Sequence, residues 1–135
     1  MLLYQSSTQV ATLDPLQPDE TEAAARVAWS CEGRLPDGMS NTHGLTAWYS
    51  VIAGAVAWGD IAMGLRVNGG GLCGVAVARA DAADRGRMLL MTCCSAYDAE
   101  WYRPRMEAAM RDLVARRDLT LVRRRTVTTV TYEPV

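Results

Sequence analysis

Apolar and polar positions change period several times along the chain, and each change marks an element. From Leu2 to Leu13, "LLYQSSTQVATL", apolar and polar residues alternate loosely, which is the period of a strand. "DPLQPDETEAAARVAWSCEG" switches to helical spacing, with Ala24, Val27, Ala28 and Cys31 on one face. Pro18 suits a first helical turn, Asp19, Glu20 and Glu22 suit the positive end of a helix dipole, and Gly33 can stop the helix. "LPDGMSNTHG" is a loop by turn composition. Asn41 or Thr42 can cap the next helix, over about residues 45–58. That helix is apolar nearly all round and is expected to be deeply buried.

Beyond Gly59, strand signals dominate. "DIAMGLRV" and "LCGVAVAR" flank "NGGG", and Asn68-Gly69 tolerates the positive φ of primed turns. Asp60–Val67 and Leu72–Arg79 are therefore predicted to be antiparallel neighbours. "ADAADRG" connects to "RMLLMTCCS", a third strand whose nearly continuous apolar run predicts cover on both faces. "RPRMEAAMRDLVARR" is a helix with Pro104 in its first turn and Met106, Ala109, Met110, Leu113 and Val114 as one apolar stripe. "LTLVRRRTVTTVTYE" closes the chain as one long strand or two short ones, polar on both faces and expected at a sheet edge. The order is β-α-α-β-β-β-α-β. It predicts an α/β (α+β) fold with a mainly antiparallel central sheet and helices packed on it, in one domain spanning residues 1–135.

Composition narrows the chemistry. Half the residues are hydrophobic and the net charge is −1, so no global field singles out an acidic or basic partner. All 14 basic residues are arginine, and phenylalanine is absent too. We read both absences as the coding bias of a GC-rich genome. The first excludes any mechanism that needs a lysine amine. Cys31, Cys73, Cys93 and Cys94 match no zinc spacing, and the adjacent pair cannot easily bridge to itself. Free, mostly buried thiols in a reducing compartment, with no metal site, are the expectation. "MLLYQSSTQ" lacks the regions of a signal peptide, and the uncharged run Gly44–Gly59 is shorter than the ~20 residues of a span. A cytoplasmic protein without membrane contact is expected.

Arginine is unevenly placed. Residues 103–125 hold eight arginines against Glu107, Asp112 and Asp118, whereas the first 102 residues hold six against eleven acids. Such a face can hold coenzyme phosphates, nucleic acid or an acidic neighbouring subunit, and a solvated helix face is the plainer reading. Arg124 falls on the opposite strand face from Arg123 and Arg125, and no stacking aromatics interleave, so nucleic acid is not expected. His43, the only histidine, sits in a polar loop where a general base can sit, without an inferable Ser or Cys partner. "SAYDAEWY" gathers Tyr97, Asp98, Glu100, Trp101 and Tyr102 after the third strand, where a helix-entry loop with anchoring aromatics is the plainer reading. Cys93 and Cys94 point to opposite faces, so at most one lines a cleft.

The element order resembles the core of the GNAT superfamily, the N-acetyltransferases that use acetyl-coenzyme A. "VATLDPLQPDETEAAARVAW" looks like its opening strand and the acidic start of its first helix. "VNGGGLCGVAVARAD" looks like its second hairpin, and the likeness extends over about residues 8–120. In that family an Arg/Gln-x-x-Gly-x-Gly/Ala loop offers backbone N–H groups to the coenzyme's pyrophosphate at a helix start. The corresponding stretch here is "WYRPRMEAAM": Arg103 and Arg105 can contact phosphate, while Pro104, Met106 and Glu107 depart from the motif. The family's last helix and final strand pair have no clear room after Leu121.

The resemblance implies an acyl-coenzyme A-dependent N-acyltransferase, or a degenerate, non-catalytic version of one. Its acetyl-CoA or other acyl-CoA would lie against Met91, Thr92, Cys93 and Cys94 and the turn of Tyr102, Arg103, Arg105 and Met106. Glu100 or Asp98 would deprotonate a small-molecule or protein amine, and Tyr97 would protonate the leaving thiolate. Residues 60–135 are also similar to tail-terminator and neck subunits of long-tailed bacteriophages. That likeness implies a non-enzymatic subunit of a homo-oligomeric ring or larger assembly. A small binding or inhibitor protein is a third reading.

Overall fold

The computed structural model describes every one of the 135 residues except Asn41, Val127 and Thr128. Its elements are β1 (Leu2–Gln5), β2 (Val10–Pro15), a 3-10 turn (Pro18–Glu20), α1 (Thr21–Glu32), α2 (Gly44–Ala57), β3 (Ile61–Val67), β4 (Gly74–Ala80), β5 (Arg87–Ser95), α3 (Ala99–Ala115), β6 (Thr120–Thr126) and β7 (Val130–Pro134). The strands form one seven-stranded sheet in sequence order. Every neighbouring pair is antiparallel except β5–β6, which are parallel because α3 carries the chain back between them.

Each sheet face carries its own core. On one, Leu13, Leu65, Ala76, Met88, Leu90 and Cys93 pack beneath Tyr102, Met106, Met110 and Val114 of α3. On the other, Ala62, Val75, Val77 and Cys94 pack beneath Ala24, Ala25 and Ala28 of α1 and Trp48, Val51, Ile52 and Ala55 of α2. The central strands are buried on both sides, as the apolar run of β5 predicts. The fold is the expected mixed α+β sheet with helices on it.

Several boundaries differ from the sequence reading. The opening strand is a hairpin, with Ser6 N–H bonded to Gln9 O at 2.8 Å and Ser6 Oγ accepting from the Gln9 amide at 3.1 Å. Its turn uses a serine side chain instead of Gly or Asn, so no punctuation marks it. The second hairpin turns at Asn68 (φ 53°) and Gly69 (φ 68°) as expected, but β4 begins at Gly74 instead of Leu72. Asn68 also accepts from the Val10 amide at 2.7 Å, which pins the turn to β2. The expected cap at Asn41 lies outside the described residues, and Thr42 Oγ1 bonds Ser40 O instead of capping. His43 caps α2, its Nδ1 accepting from the Leu45 amide at 3.3 Å. That is a structural role for the histidine considered as a base. α2 is not buried all round: Thr46, Tyr49 and Ser50 are exposed.

The closing segment is two strands, with β7 at the sheet edge, and the stretch between them includes the undescribed Val127 and Thr128. α3 starts at Ala99, so Pro104 lies inside the helix and not in its first turn. Proline there removes only the N–H that would reach Glu100 O.

Candidate functional site

β5 and β6 pair over Arg87↔Thr120, Met88↔Leu121 and Leu89↔Val122, and then part. β5 continues to Ser95 against β4 alone, and β6 continues to Thr126 against β7 alone. A bulge sits at the divergence: Val77 faces Thr92 and Ala78 faces Leu90, leaving Met91 as the extra residue. A bulge bends its strand and re-aims side chains. Met91 and Thr92 thus both serve the α1 side, where Thr92 Oγ1 donates to Glu32 Oε1 at 2.7 Å. Cys93 returns to the α3 side and Cys94 to the α1–α2 side, the opposition expected of neighbours on a strand.

Two adjoining hollows occupy the gap. The larger, about 330 Å³, runs between the end of α1 (Ser30, Cys31, Glu32), the end of β5 (Cys93, Cys94, Ser95) and the start of α3 (Ala99, Arg103). The smaller, about 90 Å³, lies under the α1–α2 loop, with Met91, Thr92 and Cys93 below, Arg34 and Asp37 above, and Arg123 and Arg124 at the β6 side. Glu32, Cys93 and Arg103 line both. Glu107 joins the α3 rim to β6, 2.8 Å from Arg123 and 3.5 Å from Arg103. Burial, aided by nearby Glu107, pushes the Cys93 thiol up to about 12, and burial likewise pushes Cys94 up to about 12. Neither is a thiolate at neutral pH.

Of the sequence-predicted residues, Met91, Thr92, Cys93, Cys94 and Arg103 come together at this gap. Tyr102 and Met106 do not, being fully buried in the core under α3, with Tyr102 O–H bonded to Gln9 Oε1. Arg105 stacks over the Trp101 ring at 3.5 Å. Glu100 is exposed in the first turn of α3 and lines neither hollow. Tyr97 accepts from Gln9 Nε2 at 3.0 Å and borders a separate hollow with Val67, Asn68, Gly71 and Cys73.

The start of α3 explains the displacement. The N-cap is Asp98, about one turn before the Arg103–Pro104 start that the sequence predicts, so Tyr102–Met106 are helix and not turn. Asp98 takes the left-handed conformation (φ 44°) there. The Ala96 amide donates to Cys73 O at 2.7 Å and the Tyr97 amide to Ser95 Oγ at 3.2 Å, while the Trp101 and Tyr102 amides both donate to Asp98 O at 3.0 Å. Among the described residues the Ala99 and Glu100 amides remain as open donors at the helix start. Glu32, Arg34 and Asp37 escaped the sequence reading. Nothing in their spacing signals a site, because α1 and its loop reach β5 only through tertiary packing. Among the described residues, no group of three or more His, Cys, Asp or Glu is placed to hold a metal ion, and no helix is long and apolar enough to cross a membrane.

A seven-stranded mixed sheet with three helices and a parallel pair splayed at the start of α3 defines a GNAT-like fold. The chain is similar in fold to RimJ of Mycobacterium smegmatis, a GNAT acetyltransferase whose structure was solved in complex with CoA-disulfide. The TM-score is 0.51 at 15% identity, over 85% of this chain and 62% of that protein, so the chain spans less than two thirds of RimJ's length. No family model and no curated protein matches the sequence. The phage-subunit alternative draws no support from these comparisons.

Proposed function

We propose that this chain binds an acyl-coenzyme A in the gap between β5 and β6 and transfers the acyl group to an amine. The observation that carries this is the parting of the two strands beyond Leu89 and Val122, beside the start of α3. Backbone groups of β5 freed from β6 can bond an extended thioester arm. Arg103 and the open amides at the helix start suit phosphate. The likeness to a protein solved with CoA-disulfide supports the same ligand.

Within the gap, Glu32 is the carboxylate that lines both hollows, and Thr92 fixes one of its oxygens. It suits the base that takes the amine proton as nitrogen attacks the thioester carbonyl and the C–S bond breaks. The sulfur leaves as thiolate and takes a proton in turn. Glu100 and Tyr97, expected for base and acid, lie outside the two hollows. They are the comparison variants for Glu32.

Calorimetric titration and thermal shift with acetyl-CoA test the reading. Saturating coenzyme at a hundred times its Kd should stabilise the fold by about 2.7 kcal/mol, and free thiol should appear when an amine is supplied. A flat melting temperature at millimolar acetyl-CoA overturns the proposal. Binding without thiol release identifies the degenerate, non-catalytic version.

A further inference from the structure

We propose that Arg124 anchors an anionic group of the acceptor, so that the acceptor is an amine that also carries a carboxylate or phosphate. This rests on the acyltransferase reading above and names the substrate class of the same site.

Charge pairing singles out this residue. Four arginines, Arg34, Arg103, Arg123 and Arg124, line the smaller hollow. Arg34 lies 3.5 Å from Glu32 and 3.1 Å from Asp37. Arg123 and Arg103 share Glu107. Among the described residues Arg124 has no ion pair, and its buried Nε has no hydrogen-bond partner. A buried guanidinium N–H without an acceptor is rare, because it loses water and gains nothing in return. A ligand oxyanion supplies the missing acceptor, and the planar guanidinium fork matches it.

Strand alternation gives the direction. Arg123 reaches Glu107 on α3, so Arg124 projects to the other sheet face, beneath the α1–α2 loop. There a Cβ on Gly38 would stand 3.3 Å from Arg124 Nη1, and Gly38 holds φ 83°. A bare, left-handed glycine leaves the loop clear of the guanidinium. Glu32, the candidate base, lines the same hollow. An amine at Glu32 and an acid at Arg124 therefore belong to one ligand.

The oxyanion has two conceivable sources, the acceptor and the coenzyme's own phosphates. Arg103, which lines both hollows at the start of α3, is placed for the coenzyme. Arg124 lines the smaller hollow alone, which assigns it to the acceptor.

Nitrogen-15 NMR of the arginine Nε–H groups reads this directly. Inorganic phosphate is the probe, titrated into the full chain with and without saturating CoA. The Arg124 resonance is assigned by its loss in Arg124→Gln. The expected result is a saturable shift of that resonance, of equal size in both titrations. Calorimetry should give at least a tenfold weaker phosphate affinity in Arg124→Gln and unchanged CoA affinity. Arg124→Lys, which keeps the charge and loses the fork, should recover only part of it. Circular dichroism confirms that both variants fold.

No phosphate-dependent shift at Arg124 overturns the proposal. So does competition between phosphate and CoA, or a loss of CoA affinity in Arg124→Gln, because the anion then belongs to the coenzyme. If phosphate shifts Arg124 in a chain that does not bind CoA, the anion site stands, and the acyltransferase reading fails together with the naming of an acceptor.

Discussion

Thr92 Oγ1 donates to Glu32 Oε1 at 2.7 Å, joining the last turn of α1 to the bulged stretch of β5. The bond exists because Met91 is the extra residue in the β4–β5 register. Without that bulge Thr92 would face α3 instead. It holds a carboxylate over the gap that β6 leaves. Glu32→Gln keeps the size and the acceptor oxygen but cannot take a proton. We expect turnover to fall by about 10²-fold or more, with acetyl-CoA affinity unchanged. Thr92→Val should cost about tenfold through lost positioning, the worth of one hydrogen bond to a charged group. Steady-state rates beside calorimetric Kd values separate the two effects. A Glu100→Gln variant that loses activity while Glu32→Gln keeps it would move the base to the helix start.

The thiols give a second set of outcomes. Cys93 and Cys94 are buried and Cys31 is half-buried, so iodoacetamide at neutral pH should label Cys31 ahead of the adjacent pair. Both buried thiols are raised from 9.0 to about 12. Their contribution to stability is complete below pH 9, where the thiols are protonated in folded and unfolded chains alike. It is lost as pH rises from 9 towards 12, because only the unfolded chain ionises in that window. Each thiol should remove about 1 kcal/mol by pH 10. Melting temperatures taken between pH 7 and pH 10.5 should fall, and fall less in Cys93→Ala. Labelling of the pair as fast as Cys31 in the folded protein would contradict their burial.

Much of the fold is legible in local pattern, and the gap is not. The Asn68-Gly69 turn, the dipole-matched start near Pro18 and the end of α1 at Gly33 (φ 62°) are set by residues within a turn of one another. The gap depends on the β4–β5 bulge and on where β6 stops pairing, which are relations between residues far apart in sequence. Pro104 misleads for a physical reason. Proline favours a first turn, yet a helix that has already formed its entry at Asp98–Tyr102 tolerates the loss of one N–H. That shift of about one turn moves Tyr102 and Met106 from a supposed coenzyme contact into the core. Met91, Thr92, Cys93 and Cys94 stayed legible because β5 itself was correctly bounded.

Tyr102 and Met106 should therefore behave as packing residues. Met106→Ala empties a fully buried position and should cost about 2–5 kcal/mol of unfolding free energy. Tyr102→Phe removes the hydroxyl bonded to Gln9 and should cost about 1 kcal/mol. Urea denaturation measures both. In either variant that remains folded, acetyl-CoA affinity should match the parent. A selective loss of affinity in Tyr102→Phe, with stability unchanged, would return the ring to the binding surface.

Gly74 opens β4 at a place where neighbouring chains leave no room. A Cβ there would stand 2.7 Å from the carbonyl oxygen of Cys94 and 3.0 Å from Leu65. Gly74 also pairs with Leu65 on β3 and Ser95 on β5, so the clash cannot be relieved by turning one side chain. Gly74→Ala must push β5 aside, at about 1–3 kcal/mol, the usual cost of overpacking. The displaced segment carries Cys94 and Ser95, which line the larger hollow, so acetyl-CoA affinity should fall along with stability. Gly71→Ala is the control: nothing lies within 4 Å of its Cβ, and the change should stay within about 0.5 kcal/mol. Equal melting temperatures for the two variants would mean that the β4–β5 seam is looser than these contacts require.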